Sequence, residues 1–409
     1  MDRKKSTDRD NENNSFEEFI KGSDVREKAD LKAVGVLSFG HLFSDVYGGF
    51  INPIMPLIAL KLSIPLGFVG LMYTISSLSA SLMQPFFGYL SDMLTKRFFV
   101  FWGIILSAVF MSLTGYVTHM WMLGLVLFFG SMGVGFYHPQ ATALVGSFSG
   151  KEINNYMGVF TACGTVGYAF GPLISASLVG AFGLKSTIAA LFPGIIIALL
   201  IYKFLPKIPV YSNYPSLKDV FKTISNLKGI ILNLSFIAIV RALAIMSFTV
   251  YMPFLWKAHD YSIVKIGLII SLFSLFGGFS SYWGGVLANK IGRKAVLALS
   301  LLPAVPALYG SLFFLKTMPV LSFALFVVSG FFMMSSTSVN IVIVQTAAPK
   351  NMGMVSGIIG GFCWGIVGLL LTPIGFLCSK YGISHVLSII AFMPILGAIS
   401  SMFISKKYA

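Results

Sequence analysis

Residues Val36–Leu60 read VLSFGHLFSDVYGGFINPIMPLIAL. The stretch is apolar enough for a membrane-spanning helix, yet it carries His41 and Asp45. A carboxylate at the centre of a spanning helix costs about 2.5–3.5 kcal/mol on insertion scales, so such residues are kept where they have a partner or a task. The expectation is that this chain moves a solute across a membrane and that Asp45 takes up and releases the driving proton.

The rest of the chain supports a membrane assignment. It has 409 residues, is 56% hydrophobic and only 11% charged, against about 25% charged in a soluble domain. From Ala33 onward twelve apolar runs are each long enough to cross a core of about 30 Å. They cover roughly 33–60, 67–90, 98–116, 121–149, 155–181, 186–205, 230–256, 264–288, 295–315, 320–347, 352–377 and 385–404. The predicted fold is therefore all-α and polytopic, with twelve transmembrane helices in two six-helix bundles. The predicted organisation is a polar tail (1–32), a first bundle (33–205), a linker (206–229) and a second bundle (230–405).

Charge sets the orientation. The tail holds nine of the 14 acidic residues, leaving Asp45, Asp92, Glu152, Asp219 and Asp260 for the body. With the tail inside, inner segments beyond it carry fourteen Lys/Arg and outer loops six, which predicts both termini in the cytoplasm of a cell inserted by the positive-inside rule. The same distribution explains the net charge of +15 without nucleic acid as a partner. The first 32 residues are polar, so no signal peptide is expected. Cys163, Cys363 and Cys378 lie inside apolar runs and suggest packing, with no disulfide framework and no metal. No GxxxxGK[ST] loop is present, so ATP-driven transport by this chain is not expected. No catalytic constellation or cofactor motif stands out. A monomer in the lipid bilayer is expected, with a small-molecule substrate and protons as partners.

The two halves repeat. Gly88-Tyr-Leu-Ser-Asp92-Met-Leu-Thr-Lys96-Arg97 follows the second run, and Gly285-Val-Leu-Ala-Asn289-Lys-Ile-Gly-Arg293-Lys294 follows the eighth. Parallel six-span repeats with a midplane site between them are a transporter architecture. The first copy resembles the G-x-L-x-D-x-x-G-R-R loop of the major facilitator superfamily, with Thr95 in place of the later glycine; the second has Asn289 in place of the acid. That resemblance implies a gating role for Gly88, Asp92, Lys96, Arg97, Gly285, Asn289 and Arg293. The fifth run carries Gly158-x8-Gly167-x3-Gly171-Pro172, which resembles the superfamily's antiporter helix. The fourth run has Phe129 where many drug antiporters have Arg. Phe136-Tyr137-His138-Pro139-Gln140-Ala141, with Gly40-His41-Leu42-Phe43-Ser44-Asp45-Val46-Tyr47, is similar to the fosmidomycin resistance branch. The resemblance implies a proton-coupled exporter of fosmidomycin-like or other small amphiphilic compounds.

Only Asp45 and Arg241 are charged residues well inside apolar runs. Counted from the inner ends of their runs, Asp45, Arg241 and His138 all lie about 16–18 Å deep. They are expected to converge at midplane. His41 and Asp45 are four apart and share a helix face, which suggests a proton-coupling pair. Arg241 is a bidentate donor suited to an anionic substrate group. His138, Tyr47, Tyr137, Asn340 and Trp364 are the other candidate substrate-binding residues. The structural alternative is an Asp45–Arg241 or Asp45–His138 pair that holds the halves together. Two other functions share these features: an organic-anion importer or exchanger of the same fold, and a non-transporting membrane sensor.

Overall fold

A computed structural model describes residues 28–84, 86, 87, 90, 97–150, 153–206, 225–348 and 352–405, without side chains at 153–155 and 352–354. Every regular element is helical among these residues. In chain order they are α1 (Leu31–Gly49), α2 (Met55–Leu62), α3 (Leu66–Ser77), α4 (Phe98–Ser112), α5 (Met120–Phe148), α6 (Ile153–Phe182), α7 (Leu191–Phe204), α8 (Lys228–Ala258), α9 (Ile263–Ile291), α10 (Arg293–Phe313), α11 (Pro319–Ala347), α12 (Met352–Gly357), α13 (Cys363–Tyr381), α14 (Ile383–Ile390) and α15 (Met393–Ser401). Among the described residues, ten helical segments, from Phe98–Tyr116 through Ile383–Ser401, are long and apolar enough to cross a membrane.

The first two expected spans are built differently. The run 33–60 is divided between α1 and α2 by turns at 50–54. The cause is Pro53, which has no N–H to give the helix and whose ring collides with the carbonyl four residues back. Asp30 starts α1, its carboxylate accepting from the Ala33 N–H at 3.1 Å, which satisfies one orphan donor of the first turn. The second span is α3 extended by a π turn at Leu78–Leu82, and a matching π turn, Ile358–Phe362, lies between α12 and α13. The two π turns touch across the halves.

The halves meet along two seams, α3 with α13 and α6 with α9. Small residues make the approach possible, because a side chain there would meet backbone. A methyl at Gly70 of α3 would stand 2.8 Å from the Leu371 carbonyl carbon of α13, and one at Gly267 of α9 would stand 2.7 Å from the Pro172 carbonyl. The Thr74 hydroxyl donates to the Gly368 carbonyl at 2.6 Å and sits 2.8 Å from the Thr372 hydroxyl.

The apolar core is distributed unevenly along the bundle axis. At the end far from the tail, buried residues of both halves form one cluster, including Phe50, Ile54, Phe248, Trp256, Phe273 and Leu371. At the tail end there are two separate clusters among the described residues. One belongs to the first half, with Leu37, Ile104, Leu144 and Ile201. The other belongs to the second, with Leu234, Leu297, Ile343 and Ile359. The halves thus share a core at the far end and keep their own at the tail end.

Candidate functional site

Asp45 lies midway along α1, and the 3.6-residue period puts His41 one turn before it on the same face. Their side chains meet, with His41 Nε2 3.4 Å from Asp45 Oδ2. α5 delivers His138, whose Nε2 is 3.0 Å from Asp45 Oδ1. The two imidazole rings cross edge to face with centroids 4.9 Å apart. α6 forms the floor: His41 stacks on the Phe160 ring at 4.0 Å, and His41 Nδ1 is 2.8 Å from the Phe160 carbonyl oxygen. The Asp45 side chain is only 16% exposed. A carboxylate this enclosed needs a partner, and His138 lies in position to supply one.

The Phe160 contact fixes the chemistry. A carbonyl oxygen can only accept, so His41 Nδ1 carries the hydrogen and donates it. A neutral His41 then points its Nε2 lone pair at Asp45 Oδ2, and a carboxylate oxygen has only lone pairs to offer in return. That contact is long, at 3.4 Å, whereas His138 can donate to Oδ1 at 3.0 Å. One added proton, on Asp45 or on His41, converts the facing lone pairs into a hydrogen bond. The cluster therefore has a place for one proton and can gain or lose it without dismantling its other contacts.

Gly164 permits this arrangement. A methyl at this position would stand 2.5 Å from His41 Nε2 and 2.8 Å from Asp45 Oδ2. Gly164 was not among the residues singled out in the sequence, and neither was Phe160. The signal is a stripe at helical spacing, 160, 164, 167 and 171, which lays one face of α6 on α1. A methyl at Gly167 would stand 2.9 Å from Leu42 Cα and one at Gly171 3.2 Å from Gly49 Cα, while Gly158 has nothing within 4 Å. The stretch from Gly167 to Pro172 is thus a close-packed seat for α1, and Gly158 lies outside it.

The expected convergence of Asp45, His138 and Arg241 is only partly met. The structure gathers His41, Asp45 and His138, all from the first half. Arg241 of α8 is 1% exposed and turns toward α11, where its Nη1 donates to the Ser336 hydroxyl at 3.2 Å. Its Nε has no hydrogen-bond partner, and no acid lies within ion-pair distance among the described residues. Counting depth says nothing about rotation around the helix axis, and the Arg241 side chain faces α11 and Ser336. Asn340, one turn from Ser336 on α11, donates to the Leu234 carbonyl at 3.1 Å and leaves its Oδ1 unpartnered.

The tyrosines and Trp364 sit in packing positions. Tyr47 donates to the Ala190 carbonyl at 2.7 Å, and Tyr137 donates to the Leu37 carbonyl at 2.5 Å; both are buried. Trp364 is half-buried against the far-end core. Of the loop motifs, Gly88, Asp92 and Lys96 lie outside the described residues. Arg97 donates to the Tyr202 carbonyl at 2.6 Å. In the second copy Gly285 approaches Ser338, Asn289 is exposed, and Arg293 donates to the Thr346 hydroxyl at 3.2 Å.

Comparison with known proteins places this geometry in context. The family described as the Major Facilitator Superfamily matches residues 37–373. The chain is similar to the fosmidomycin resistance protein of Escherichia coli (strain K12), 27% identical over 406 residues that cover 92% of this chain and 94% of the relative. It is also similar to the uncharacterised MFS-type transporter YfnC of Bacillus subtilis (strain 168), 24% identical over 91% of this chain and 92% of the relative. Among solved structures, a bacterial homologue of the human lysosomal transporter Spinster, in an inward-facing and occupied conformation, superposes with a TM-score of 0.78. That match covers 90% of this chain and 95% of the other at 15% identity, so it speaks to fold alone.

Proposed function

The chain belongs to the major facilitator superfamily, a multi-pass membrane transporter family, and we propose that it exports a small amphiphilic solute in exchange for protons by alternating access. The observation that carries this reading is the His41–Asp45–His138 cluster with its place for a single proton. A coupled exporter needs a group that holds a proton in one state and yields it in the other. The cluster is enclosed, contains the one deep carboxylate among the described residues, and is packed on α6, which also touches the second half through α9. Rocking of the halves moves α6 against α9 and so bears on the floor of the proton site. The similarity to a fosmidomycin resistance protein supports export of a drug-like compound.

With the tail in the cytoplasm, the shared core at the far end seals the outer face, and the separate cores at the tail end correspond to an inward-facing state. From this state the cluster meets solute arriving from the cell interior. The loop motifs after the second and eighth runs then act as the inner latch that forms when the halves close on that side.

The test is proton-coupled flux in proteoliposomes with an imposed pH gradient, comparing the native chain with Asp45→Asn. Asparagine keeps the volume and cannot carry the proton. Coupled transport should vanish in a protein that still inserts and binds solute; full coupled transport by the variant overturns the assignment. A second reading, uptake or exchange of an organic anion, is favoured by one observation: Arg241 is a buried cation with no acidic partner among the described residues. Accumulation of a labelled organic anion, lost on replacing Arg241, would select it over export.

A further inference from the structure

We propose that His41, Asp45 and His138 together form a binding site for a borderline divalent d-block cation such as Zn2+ or Co2+. The inference shares the site of the proposed function but rests on its geometry, and it holds whether or not the cluster also carries a proton.

Each residue offers one ligand atom, and the three atoms all lie within 4.8 Å of one another. Two of the separations are already close to those of a coordination sphere. Zinc binds imidazole nitrogen and carboxylate oxygen at about 2.0–2.2 Å, so neighbouring ligands in a tetrahedron stand roughly 3.3–3.5 Å apart. His41 Nε2 is 3.4 Å from Asp45 Oδ2 and His138 Nε2 is 3.0 Å from Asp45 Oδ1; the contacts use different oxygens, so the carboxylate turns to present one of them to the shared centre. To complete the set His138 gives up its Nε2 hydrogen bond to Asp45 and carries its hydrogen on Nδ1 instead, and its side chain, 25% exposed, has room to turn.

The outer contacts are those a metal ligand needs. The Phe160 carbonyl takes the Nδ1 hydrogen of His41 at 2.8 Å and leaves the Nε2 lone pair aimed at the shared centre. Metal-bound histidines are oriented by this kind of partner. Two imidazoles and one carboxylate favour zinc, cobalt or iron over magnesium or calcium, which prefer oxygen. The charge balance also works inside a membrane. Neutral histidines with ionised Asp45 give the site a formal charge of −1, and a dication changes it to +1, so the magnitude to be solvated does not grow. Three protein ligands leave a fourth position open, on the side where His138 is exposed. Metal and proton compete, because both occupy the space between the His41 and Asp45 lone pairs.

The experiment uses detergent-purified, tag-free, chelator-treated full-length protein. Zn2+ binding is measured by calorimetry and Co2+ coordination by its visible absorption. The expected result is one equivalent of either metal, a tetrahedral Co2+ spectrum, and displacement of Co2+ by Zn2+. Binding by His41→Gln and His138→Gln should weaken by at least about tenfold, the scale that even outer partners of a ligand command. A triple variant at His119, His259 and His385, the remaining histidines of the chain, should bind as the native protein does. The native Co2+ spectrum tests the proposal even if the single variants fail to fold. Absence of stoichiometric binding, an octahedral all-oxygen Co2+ spectrum, or loss of binding only in the triple variant overturns the inference. Proton-driven flux is measured separately in chelator-treated vesicles. Flux without metal binding defeats this inference and leaves the proton reading standing, whereas metal binding without coupled flux supports this inference and defeats the proton reading.

Discussion

Replacing Gly164 by alanine tests the site without removing any titratable group. The added methyl would stand 2.5 Å from His41 Nε2 and 2.8 Å from Asp45 Oδ2, whereas contacts under 3.4 Å are already tighter than nine in ten real Cβ contacts. Reaching 3.4 Å requires His41 to retreat by about 0.9 Å (3.4 less 2.5) and Asp45 by about 0.6 Å (3.4 less 2.8). The helices cannot simply part, because Gly167 and Gly171 seat α1 on α6 just beyond the site. The movement therefore falls on the side chains and pushes the His41–Asp45 contact, already long at 3.4 Å, beyond hydrogen-bonding distance. A hydrogen bond to a charged group contributes about 1.5–3 kcal/mol. At about 1.36 kcal/mol per factor of ten, its loss lowers occupancy of the shared proton position by roughly 10- to 150-fold. Overpacking itself costs about 1–3 kcal/mol of stability.

The assay is proton-driven solute flux in proteoliposomes, read beside the melting temperature and solute binding. Gly164→Ala should insert and fold with lowered stability, bind solute, and lose coupled flux by about tenfold or more. Gly158→Ala is the control: nothing lies within 4 Å of a methyl there, so it should transport normally although Gly158 opens the antiporter-like motif. Wild-type coupled flux in folded Gly164→Ala would refute the idea that the close His41–Asp45 contact carries the proton.

Other expectations follow from the seams and from Arg241. His138→Gln should keep a neutral donor toward Asp45 and reduce coupled flux less severely than Asp45→Asn, as measured in the same vesicles; equal loss would make His138 a proton carrier in its own right. Thr74→Cys with Thr372→Cys, whose hydroxyls are 2.8 Å apart across the halves, should form a disulfide on mild oxidation, arrest transport and recover it with reductant; transport unaffected by complete cross-linking would show that this seam need not open. Arg241→Met removes a buried cation that has no acidic partner among the described residues, so stability should change little or rise, while binding of an anionic solute should fall more than about tenfold; unchanged binding excludes Arg241 from the solute site. Pro53→Ala should extend α1 toward α2 and raise helix content measurably by circular dichroism; unchanged helix content would show that packing at the far end, and not the proline, holds the break.

Much of this protein is legible in the chain itself. Apolar runs of about twenty residues become helices in lipid, since each then satisfies its own backbone, and the repeated Gly88 and Gly285 segments point to two related halves. The i,i+4 spacing of His41 and Asp45 places them on one face before any tertiary contact forms. Depth counting brings His138 to their level for the same reason, because rise per residue is a local property. Tertiary structure alone decided the rest. Which residue meets Asp45 depends on helix rotation and on which helices are neighbours, and these are set by many small packing contacts spread over distant residues. Packing turned His138 inward and Arg241 toward Ser336. It also gave Gly164 its meaning, since an ordinary glycine in a glycine-rich run becomes indispensable only when another helix presses a histidine and a carboxylate against it. The uneven core, shared at one end and divided at the other, reflects how two half-bundles lean on each other, a relation that no local pattern in the sequence encodes.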